Sequence, residues 1–497
     1  MRRLSFSCFW YPLLLFGLAL AARYVFFRYF GNEFSHEGES YSKINLVRVW
    51  LDQGKPYPDP NFGPLHTWLI YLLVRIGGDW ILPVRVFGLL VGSLTVPIYY
   101  FFLRAATDER TAILAALLFA LFPTHLRASP TGLAEVPYLF FFVGGLWMYF
   151  LAWNRRDRRT WVYFSLAALG WTAAGMLRFE AWLYYPVLCL ALLGRRRIGE
   201  AFGFGAMLAV FPLIHMGISW HDFGNPTNFA ATSASSFLQY MPDMPWADKA
   251  FGWFYSLELG MGWPAAILAA AGLVSALIRR RFLLPAALLI FPLALLEYKA
   301  ISNTLDPSLE RYIVGLAALL YAFAGFALSS FGEHLQRIRT PLRHAVTVAL
   351  AAILVFQVVH AWNEAVENRY PADVRQVVDW LRRYTGPADR VLPDQRFHPY
   401  VELESRLPIG AFVNLQWRPD RKALDPQAFA LLLAETPPTI VIFDYLLADT
   451  PYVNSNLDVF PVPRDAPEYE QYGLRLTKVF AAGDFVIYRS TKKEADS

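Results

Sequence analysis

The chain has 497 residues, of which 56% are hydrophobic and only 17% are charged. Because about a quarter of the residues in a soluble domain are charged, this composition argues against a soluble enzyme and against a disordered protein. The net charge of +5 is small for this length, and the basic residues are spread over short loops, so the sequence does not predict a nucleic-acid-binding protein.

Apolar runs dominate the first three quarters of the chain. A transmembrane helix needs about 20 mostly apolar residues. About eleven runs approach this length, near residues 10–30, 83–104, 111–126, 132–153, 160–177, 180–194, 198–220, 263–278, 282–298, 311–331 and 343–362. The charge density beyond these runs is that of a soluble protein. The sequence therefore predicts a mainly α-helical, polytopic membrane domain over 1–362 and a small soluble α/β domain over 363–497.

Orientation follows from the positions of the basic residues, because Lys and Arg are in excess in short cytoplasmic loops. Seventeen arginines lie at the N-terminus and in alternate short loops, against five basic residues in the intervening ones. This distribution predicts a cytoplasmic N-terminus, with residues 31–82, 221–262 and the C-terminal domain outside. The membrane is the plasma membrane if the chain is prokaryotic.

The first outer loop, residues 31–82, contains two predicted helices that do not cross the bilayer. Apolar residues between Ile44 and Leu51 alternate with polar ones, which predicts a surface helix ending near Gly54. The segment from Phe62 to Gly77 is apolar but short. It therefore predicts a helix lying in the membrane interface, with Trp68 at headgroup level.

The C-terminal part has the pattern of a mixed α/β domain. Val374, Val377, Val378 and Leu381 recur at helical spacing and predict an amphipathic helix. The runs 439–443 and 485–488 predict strands, and 390–392 predicts the start of another. Acceptor selection, covering of an active site and a purely structural role are all compatible with such a domain.

Ionisable residues of the predicted spans are concentrated at the outer ends. They are Glu135, Arg178, Glu180, His215, Glu297, Lys299, Glu310 and Arg311. Transporters usually place such groups near the bilayer midplane, so this arrangement favours chemistry on a lipid-borne headgroup at the outer surface. Arg178, Lys299 and Arg311 are candidates to hold a phosphate, since arginine offers a planar bidentate fork.

The first outer loop also carries two acids, Glu37 and Glu39, separated by Gly38. In an extended segment, residues i and i+2 point the same way, about 6–7 Å apart. Both carboxylates then converge on one substrate or one divalent cation. The commoner explanation of such a pair is a solvated turn.

The order of several short motifs over about residues 10–335 resembles that of the GT-C glycosyltransferases. Within them the chain looks most like the relatives of protein O-mannosyltransferases and aminoarabinose transferases. The matching pieces are Glu37/Glu39, Gly63-Pro64-Leu65-His66-Thr67-Trp68, Arg85, Pro123 with Glu135-Val136-Pro137, Leu177-Arg178-Phe179-Glu180, Gly224-Asn225-Pro226 and Glu310-Arg311-Tyr312. The chain departs from the family in having Glu-x-Glu in the acidic loop and in lacking the Lys often found before the Pro-Leu-His segment.

The resemblance implies transfer of a sugar from a polyprenyl-phosphate donor to an acceptor hydroxyl, with inversion at the anomeric carbon. The implied general base is Glu37 or Glu39. Arg178, Lys299 and Arg311 are the implied groups on the departing phosphate. The other implied substrate-binding residues are His66, Glu135, Glu180 and Tyr312.

Two questions stay open in the sequence. The oxygen ligands of Glu37 and Glu39 suit Mg²⁺ or Mn²⁺, but two carboxylates are few for a metal site, and some of the enzymes that the chain resembles work without metal. The acceptor is a glycan, a lipid or a protein. The alternative functions are a transporter or flippase of lipid-linked sugars and a non-catalytic membrane scaffold.

Overall fold

The chain divides into two compact units, seen in a computed structural model. The first combines Met1–Phe34 with Pro58–Asn368, and the second combines Ser35–Tyr57 with Arg369–Ser497. The residues described are 7–30, 39–54, 63–228, 245–302, 310–336, 342–367, 369–394, 398–413, 431, 433–447, 455–458 and 460–492. The unit boundary near residue 368 lies close to the expected one, but residues 35–57 group with the C-terminal part.

The regular secondary structure in the described residues of the first unit is entirely helical. Its helices are α1 (Ser7–Phe30), α3 (Pro64–Gly77), α4 (Leu82–Ala106), α5 (Glu109–Ala120), α6 (Pro123–Ala128), α7 (Glu135–Trp153), α8 (Arg159–Leu177), α9 (Tyr185–Gly194), α10 (Ile198–Phe223), α11 (Trp246–Met261), α12 (Trp263–Ile278), α13 (Leu283–Ile301), α14 (Val314–Gln336) and α15 (Leu342–Glu367). The 3-10 turns Phe179–Tyr184 and Glu310–Ile313 precede α9 and α14.

The predicted multi-pass membrane architecture is confirmed, and each of the predicted apolar runs lies on helix. Among the described residues, seven helices are long and apolar enough to cross a membrane, or nine if each of two bent pairs is one span. The runs at 160–177 and 180–194 form α8 and α9 but fall outside that set. α8 has 19 residues and is long enough, but its mean hydropathy is too low. α9, even with the 3-10 turn before it, is too short.

Both bent pairs have an identifiable break. α5 and α6 meet at 53° where Pro123 opens α6, and α11 and α12 meet at 114°. At the second break Gly262 has φ +77, a conformation that glycine adopts without strain. α11 was missed by the sequence analysis, because none of the predicted apolar runs covers residues 246–261. Asp248, Lys249 and Glu258 lower the hydropathy of that segment and hid the helix.

Among the described helices that could cross a membrane, α14 is the most enclosed, with 89% of its apolar segment buried inside the protein. Small residues permit this packing. A Cβ added at Gly272 of α12 would lie 1.9 Å from the carbonyl oxygen of Phe323, and one at Gly325 would lie 2.5 Å from Ala115 of α5. Close approach at small residues is the usual means by which membrane helices associate.

The second unit contains α2 (Glu39–Gln53), α16 (Ala372–Tyr384), α17 (His398–Glu404) and a five-stranded sheet. Its strands are β1 (Val391–Leu392), β2 (Ile440–Asp444), β3 (Glu468–Gln471), β4 (Leu474–Ala482) and β5 (Phe485–Lys492), in the order β1-β2-β5-β4-β3. β1 pairs parallel to β2, and the other pairs are antiparallel. The predicted helix and three predicted strands are confirmed. β3 and β4 were missed because charged residues occupy their exposed faces.

α2 confirms the predicted helix after the acidic loop, but its polar side is not solvated. Tyr41, Ile44, Val47 and Trp50 are buried, and so are Lys43, Asn45 and Arg48. The polar side chains meet α17, where Arg48 donates to the carbonyl oxygen of Glu402 at 2.9 Å. The alternating apolar and polar residues therefore belong to a helix that is buried on both sides. Its polar side chains are tolerated in the interior because they form hydrogen bonds.

Candidate functional site

The candidate site lies at the end of the first unit where α7 begins and α8 ends. Because α7 and α8 run antiparallel, their ends bring Glu135 and Arg178 together. The Arg178 guanidinium forms an ion pair with the Glu135 carboxylate and donates a second hydrogen bond to Glu180 at 3.0 Å. Glu135 and Arg178 are both buried, and Glu180 is partly exposed. One planar guanidinium thus holds two carboxylates in fixed positions.

Two further cations join this group from the other side of the bundle. The 3-10 turn before α14 places the Tyr312 ring near two guanidinium groups, with its centre 5.7 Å from that of Arg178 and 5.5 Å from that of Arg311. Lys299, in the last turn of α13, is within electrostatic range of the Glu180 carboxylate. The predicted residues Glu135, Arg178, Glu180, Lys299, Arg311 and Tyr312 are therefore brought together by the fold.

His66 reaches the same end of the bundle through α3. Gly63, which precedes α3, packs against the end of α8, where an added Cβ would lie 2.3 Å from the carbonyl oxygen of Met176. The buried His66 Nε2 is 3.0 Å from the carbonyl oxygen of Gly132 and donates to it. Since Gly132 lies three residues before Glu135, the Pro-Leu-His segment abuts the start of α7.

Sequence reasoning missed two tyrosines beside the charged group. Tyr138 lies one turn after Glu135, and Tyr184 ends the 3-10 turn that contains Glu180. Both hydroxyls approach Gly315, where an added Cβ would lie 2.6 Å from Tyr138 Oη and 3.1 Å from Tyr184 Oη. The i, i+3 spacing from Glu135 could have identified Tyr138, because residues three apart lie on the same face of a helix.

A second buried polar group was also overlooked. Arg23 of α1 is fully buried and donates to Ser129 Oγ at 3.1 Å and to His125 Nδ1 at 2.8 Å. It also donates to the carbonyl oxygen of Ala120 at 3.1 Å. Arg23 was not among the ionisable residues that the sequence analysis singled out in the spans. Its four hydrogen bonds explain how a charge is accommodated there.

The described residues include only part of the acidic loop. Glu37 lies outside the described residues. Glu39 is the first residue of α2, in the second unit, so the extended geometry expected for the pair does not apply to it. In the part of the chain that the structure describes, no three His, Cys, Asp or Glu side chains are grouped to hold a metal ion. The Mg²⁺ or Mn²⁺ site at Glu37 and Glu39 remains a sequence-based prediction.

The charged group is suited to an anion that carries polar substituents. Glu135 and Glu180 against Arg178, Lys299 and Arg311 leave one excess positive charge among these five side chains. Guanidinium and ammonium groups in a partly buried site stabilise charge on phosphate oxygens. Carboxylates and tyrosine hydroxyls beside them are the usual partners of sugar hydroxyls in hydrogen bonds.

One protein-family model matches part of this region. Residues 58–220 match the family model for dolichyl-phosphate-mannose-protein mannosyltransferase. This range includes His66, Glu135, Arg178 and Glu180. No curated protein sequence matches the chain.

Two solved structures share the fold at low sequence identity. ArnT from Cupriavidus metallidurans bound to undecaprenyl phosphate superposes with a TM-score of 0.66 at 15% identity, over 97% of this chain and 98% of that chain. The archaeal oligosaccharyltransferase AglB from Archaeoglobus fulgidus, in complex with an inhibitory peptide and a dolichol-phosphate, gives a TM-score of 0.58 at 14% identity. That match covers 89% of this chain and 70% of that chain.

Proposed function

We propose that the chain is a membrane glycosyltransferase of the GT-C class, which transfers a sugar from a polyprenyl-phosphate donor to an acceptor hydroxyl at the extracytoplasmic face. The observation that carries this proposal is the group of Glu135, Arg178, Glu180, Arg311 and Lys299 at one end of the bundle. The description of the matching family names a dolichyl-phosphate donor, and the similar structures of ArnT and AglB contain polyprenyl phosphates. These findings support the same class of donor for this chain.

Arg311 and Lys299 are the groups that we assign to the lipid phosphate, with Arg178 beside them. As the bond from the anomeric carbon to the phosphate oxygen breaks, negative charge grows on that oxygen. Preorganised cations stabilise that charge more in the transition state than in the ground state, and this difference lowers the barrier. Arg178 is already fixed by Glu135 and Glu180, so it reorganises little as the charge grows.

Glu135, Glu180 and His66 are assigned to the sugar, together with the newly recognised Tyr138 and Tyr184. Their hydrogen-bonding atoms lie at the same end of α7, α8 and α3 as the phosphate-binding cations. Orientation of the two reacting groups is itself a large contribution to catalysis, since it replaces lost translational freedom. Direct displacement at the anomeric carbon inverts its configuration.

The acidic loop supplies the base in this proposal. Glu37 or Glu39 accepts the proton of the acceptor hydroxyl as its oxygen attacks the anomeric carbon. General bases typically contribute about 10²–10⁴-fold to such a step. α2, which begins at Glu39, is fixed to α17 by buried hydrogen bonds from Asn45 and Arg48. The helix that begins at this acid is therefore an integral part of the second unit.

The orientation predicted from the basic loops places this chemistry outside the cytoplasm. A membrane-impermeant thiol reagent tests it in a background with Cys8 and Cys189 replaced by serine. A cysteine introduced at the exposed Arg406 is expected to react in intact cells, whereas one at Arg156 reacts only after permeabilisation. The opposite pattern contradicts the assigned side.

Isosteric substitution of each acid tests the catalytic assignment. Glu37→Gln and Glu39→Gln are compared with Asp52→Asn, which removes an exposed carboxylate from the last turn of α2. Purified protein is incubated with membranes as the source of acceptor and with a panel of polyprenyl-phosphate sugars, and donor consumption is followed by chromatography. One Glu variant is expected to lose about 10²–10⁴-fold in rate, while Asp52→Asn keeps it. Full rates in both Glu variants refute the base, and consumption of no such donor refutes the proposed substrate.

A further inference from the structure

At the opposite ends of α7 and α8, we propose a binding cleft for the phosphodiester headgroup of an anionic phospholipid. The cleft has a volume of about 610 Å³ and lies between the α7–α8 loop and the α9–α10 loop. Its charged lining consists of five arginines, Arg156, Arg158, Arg195, Arg196 and Arg197, against two acids, Asp157 and Glu200. α7 and α8 each have 19 residues, which at 1.5 Å per residue separates this cleft from the Glu135–Arg178 pair by about 28 Å. It is therefore distinct from the glycosyltransferase site and independent of the function proposed there.

Arg197 forms the base of the cleft. Its side chain is buried and donates to the carbonyl oxygens of Ala152 and Trp153, at 3.1 and 3.2 Å, at the end of α7. It also forms an ion pair with Glu200 at 3.2 Å. These contacts join the end of α7 to the start of α10, so the cleft is bounded by fixed backbone.

The neighbouring arginines supply an excess of positive charge. Arg156, Arg158 and Arg196 are exposed and have no ion-pair partner in the part of the chain that the structure describes. The Arg195 guanidinium lies 4.0 Å from the centre of the Trp153 ring. A guanidinium that stacks through its face on an aromatic ring keeps its edge N–H groups as donors for a phosphate.

Two helices begin at the cleft and add to its positive potential. α8 begins at Arg159 and α10 begins at Ile198, and the N-terminus of a helix favours an anion. Thr160, in the first turn of α8, is buried, and within the described residues its hydroxyl has no hydrogen-bond partner. An anion in the cleft supplies the acceptor that this hydroxyl lacks.

Apolar side chains beside the cleft indicate a lipid rather than a soluble phosphate. Trp161 of α8 is 46% exposed, and Ile198 and Phe202 of α10 are 59% and 72% exposed. Gly203 allows the Trp161 ring to pack against α10, since a Cβ there would lie 2.7 Å from the ring. A ligand with its headgroup among the arginines thus has an apolar surface along which its acyl chains lie. Basic pockets between membrane helices bind anionic headgroups in this way.

A second arginine triplet provides a matched control. Arg279, Arg280 and Arg281 follow α12 as Arg195–Arg197 follow α9, with a positive φ at Arg280 as at Arg196. In both turns, the third arginine donates its N–H to a carbonyl five residues earlier. Arg279–Arg281 are exposed, and they are not among the residues that line this cleft. A general attraction of basic loops to anionic membranes involves both triplets, whereas lipid binding in the cleft involves only the one that lines it.

Native mass spectrometry of the purified full-length protein measures phosphatidylglycerol and phosphatidylcholine binding. The triple variant Arg156→Gln, Arg158→Gln, Arg196→Gln is compared with Arg279→Gln, Arg280→Gln, Arg281→Gln. We expect the first to weaken phosphatidylglycerol binding about 100-fold and the second less than about threefold. Phosphatidylcholine binding stays unchanged in both. The same three cleft positions changed to Lys keep the charge and the membrane topology, and lose part of the affinity because the bidentate contacts are lost.

Three results overturn the proposal. Equal weakening by both Gln triplets shows a general effect of basic loops. Unchanged phosphatidylglycerol binding in the cleft variants shows that the cleft is not the site. Displacement of the lipid by micromolar inorganic pyrophosphate assigns the cleft to a soluble phosphate compound instead.

Discussion

Asn45 and Glu402, which are 357 positions apart in the chain, are joined by a buried hydrogen bond of 2.9 Å from Nδ2 to Oε2. Asn45 also donates to the carbonyl oxygen of Pro399 at 3.1 Å. Arg48, one turn later on α2, donates to the carbonyl oxygens of Glu402 and Leu407. Burial lowers the pKa of the Arg48 guanidinium, and the Glu402 carboxylate opposes that shift. The helix that follows the acidic loop is thus an integral part of the C-terminal unit.

Asn45→Asp tests this attachment. The substitution keeps the shape of the side chain but places a second carboxylate beside the fully buried Glu402. Two like charges in a buried site repel, and breaking such a network typically costs about 3 kcal/mol or more. We expect faster hydrogen exchange over 39–53 and a lower thermal midpoint of the C-terminal unit. Gln53→Ala, at the exposed end of the same helix, is the control and should change neither.

Arg178 is expected to be needed for both stability and activity. Arg178→Gln leaves Glu135 and Glu180 facing each other without the shared cation, which costs about 3–5 kcal/mol for a buried pair. The double variant Glu135→Gln, Arg178→Gln should recover part of the lost thermal stability, because it removes one of the two acids. It should not recover sugar transfer. Restored transfer in the double variant contradicts a role for Arg178 at the phosphate.

Gly63 is expected to tolerate no side chain. A Cβ at this position would lie 2.3 Å from the carbonyl oxygen of Met176 and 2.7 Å from that of Leu177. Gly63→Ala should therefore shift α3 away from the end of α8, lower the thermal midpoint and raise KM for the donor. Gly17→Ala in α1, where no atom lies within 4 Å of an added Cβ, is the matched control. It should be neutral or slightly stabilising, since alanine favours helix.

Tyr138→Phe is expected to lower kcat/KM while leaving the fold intact. The change removes only a hydroxyl that lies beside Glu180, Arg178 and Gly315. Losing one hydrogen bond to the substrate typically costs about 1 kcal/mol, or fivefold to tenfold in kcat/KM. Steady-state kinetics with the consumed donor provide the measurement. An unchanged kcat/KM removes Tyr138 from the substrate site, and Tyr99→Phe, whose hydroxyl donates to the carbonyl oxygen of Ala318, serves as the control.

Local patterns in the sequence were sufficient for the architecture and for most of the charged group. Long apolar runs must become membrane helices because the bilayer core offers no other partners for the backbone. Arg178 and Glu180 lie two residues apart at one end of a predicted span, and their position relative to Glu135 followed from the antiparallel order of the runs. The helical spacing of Val374, Val377, Val378 and Leu381 was likewise enough to predict α16.

The tertiary structure determined which distant residues contact each other. The attachment of α2 to α17 and the four hydrogen bonds of Arg23 join segments tens to hundreds of residues apart, and no local spacing encodes them. α11 was missed because Asp248, Lys249 and Glu258 lower the average hydropathy of its segment. Its sharp angle to α12 at Gly262 was likewise not evident from the sequence. The arginine cleft also depends on the fold, because its two loops are adjacent only when α7, α8, α9 and α10 have packed together.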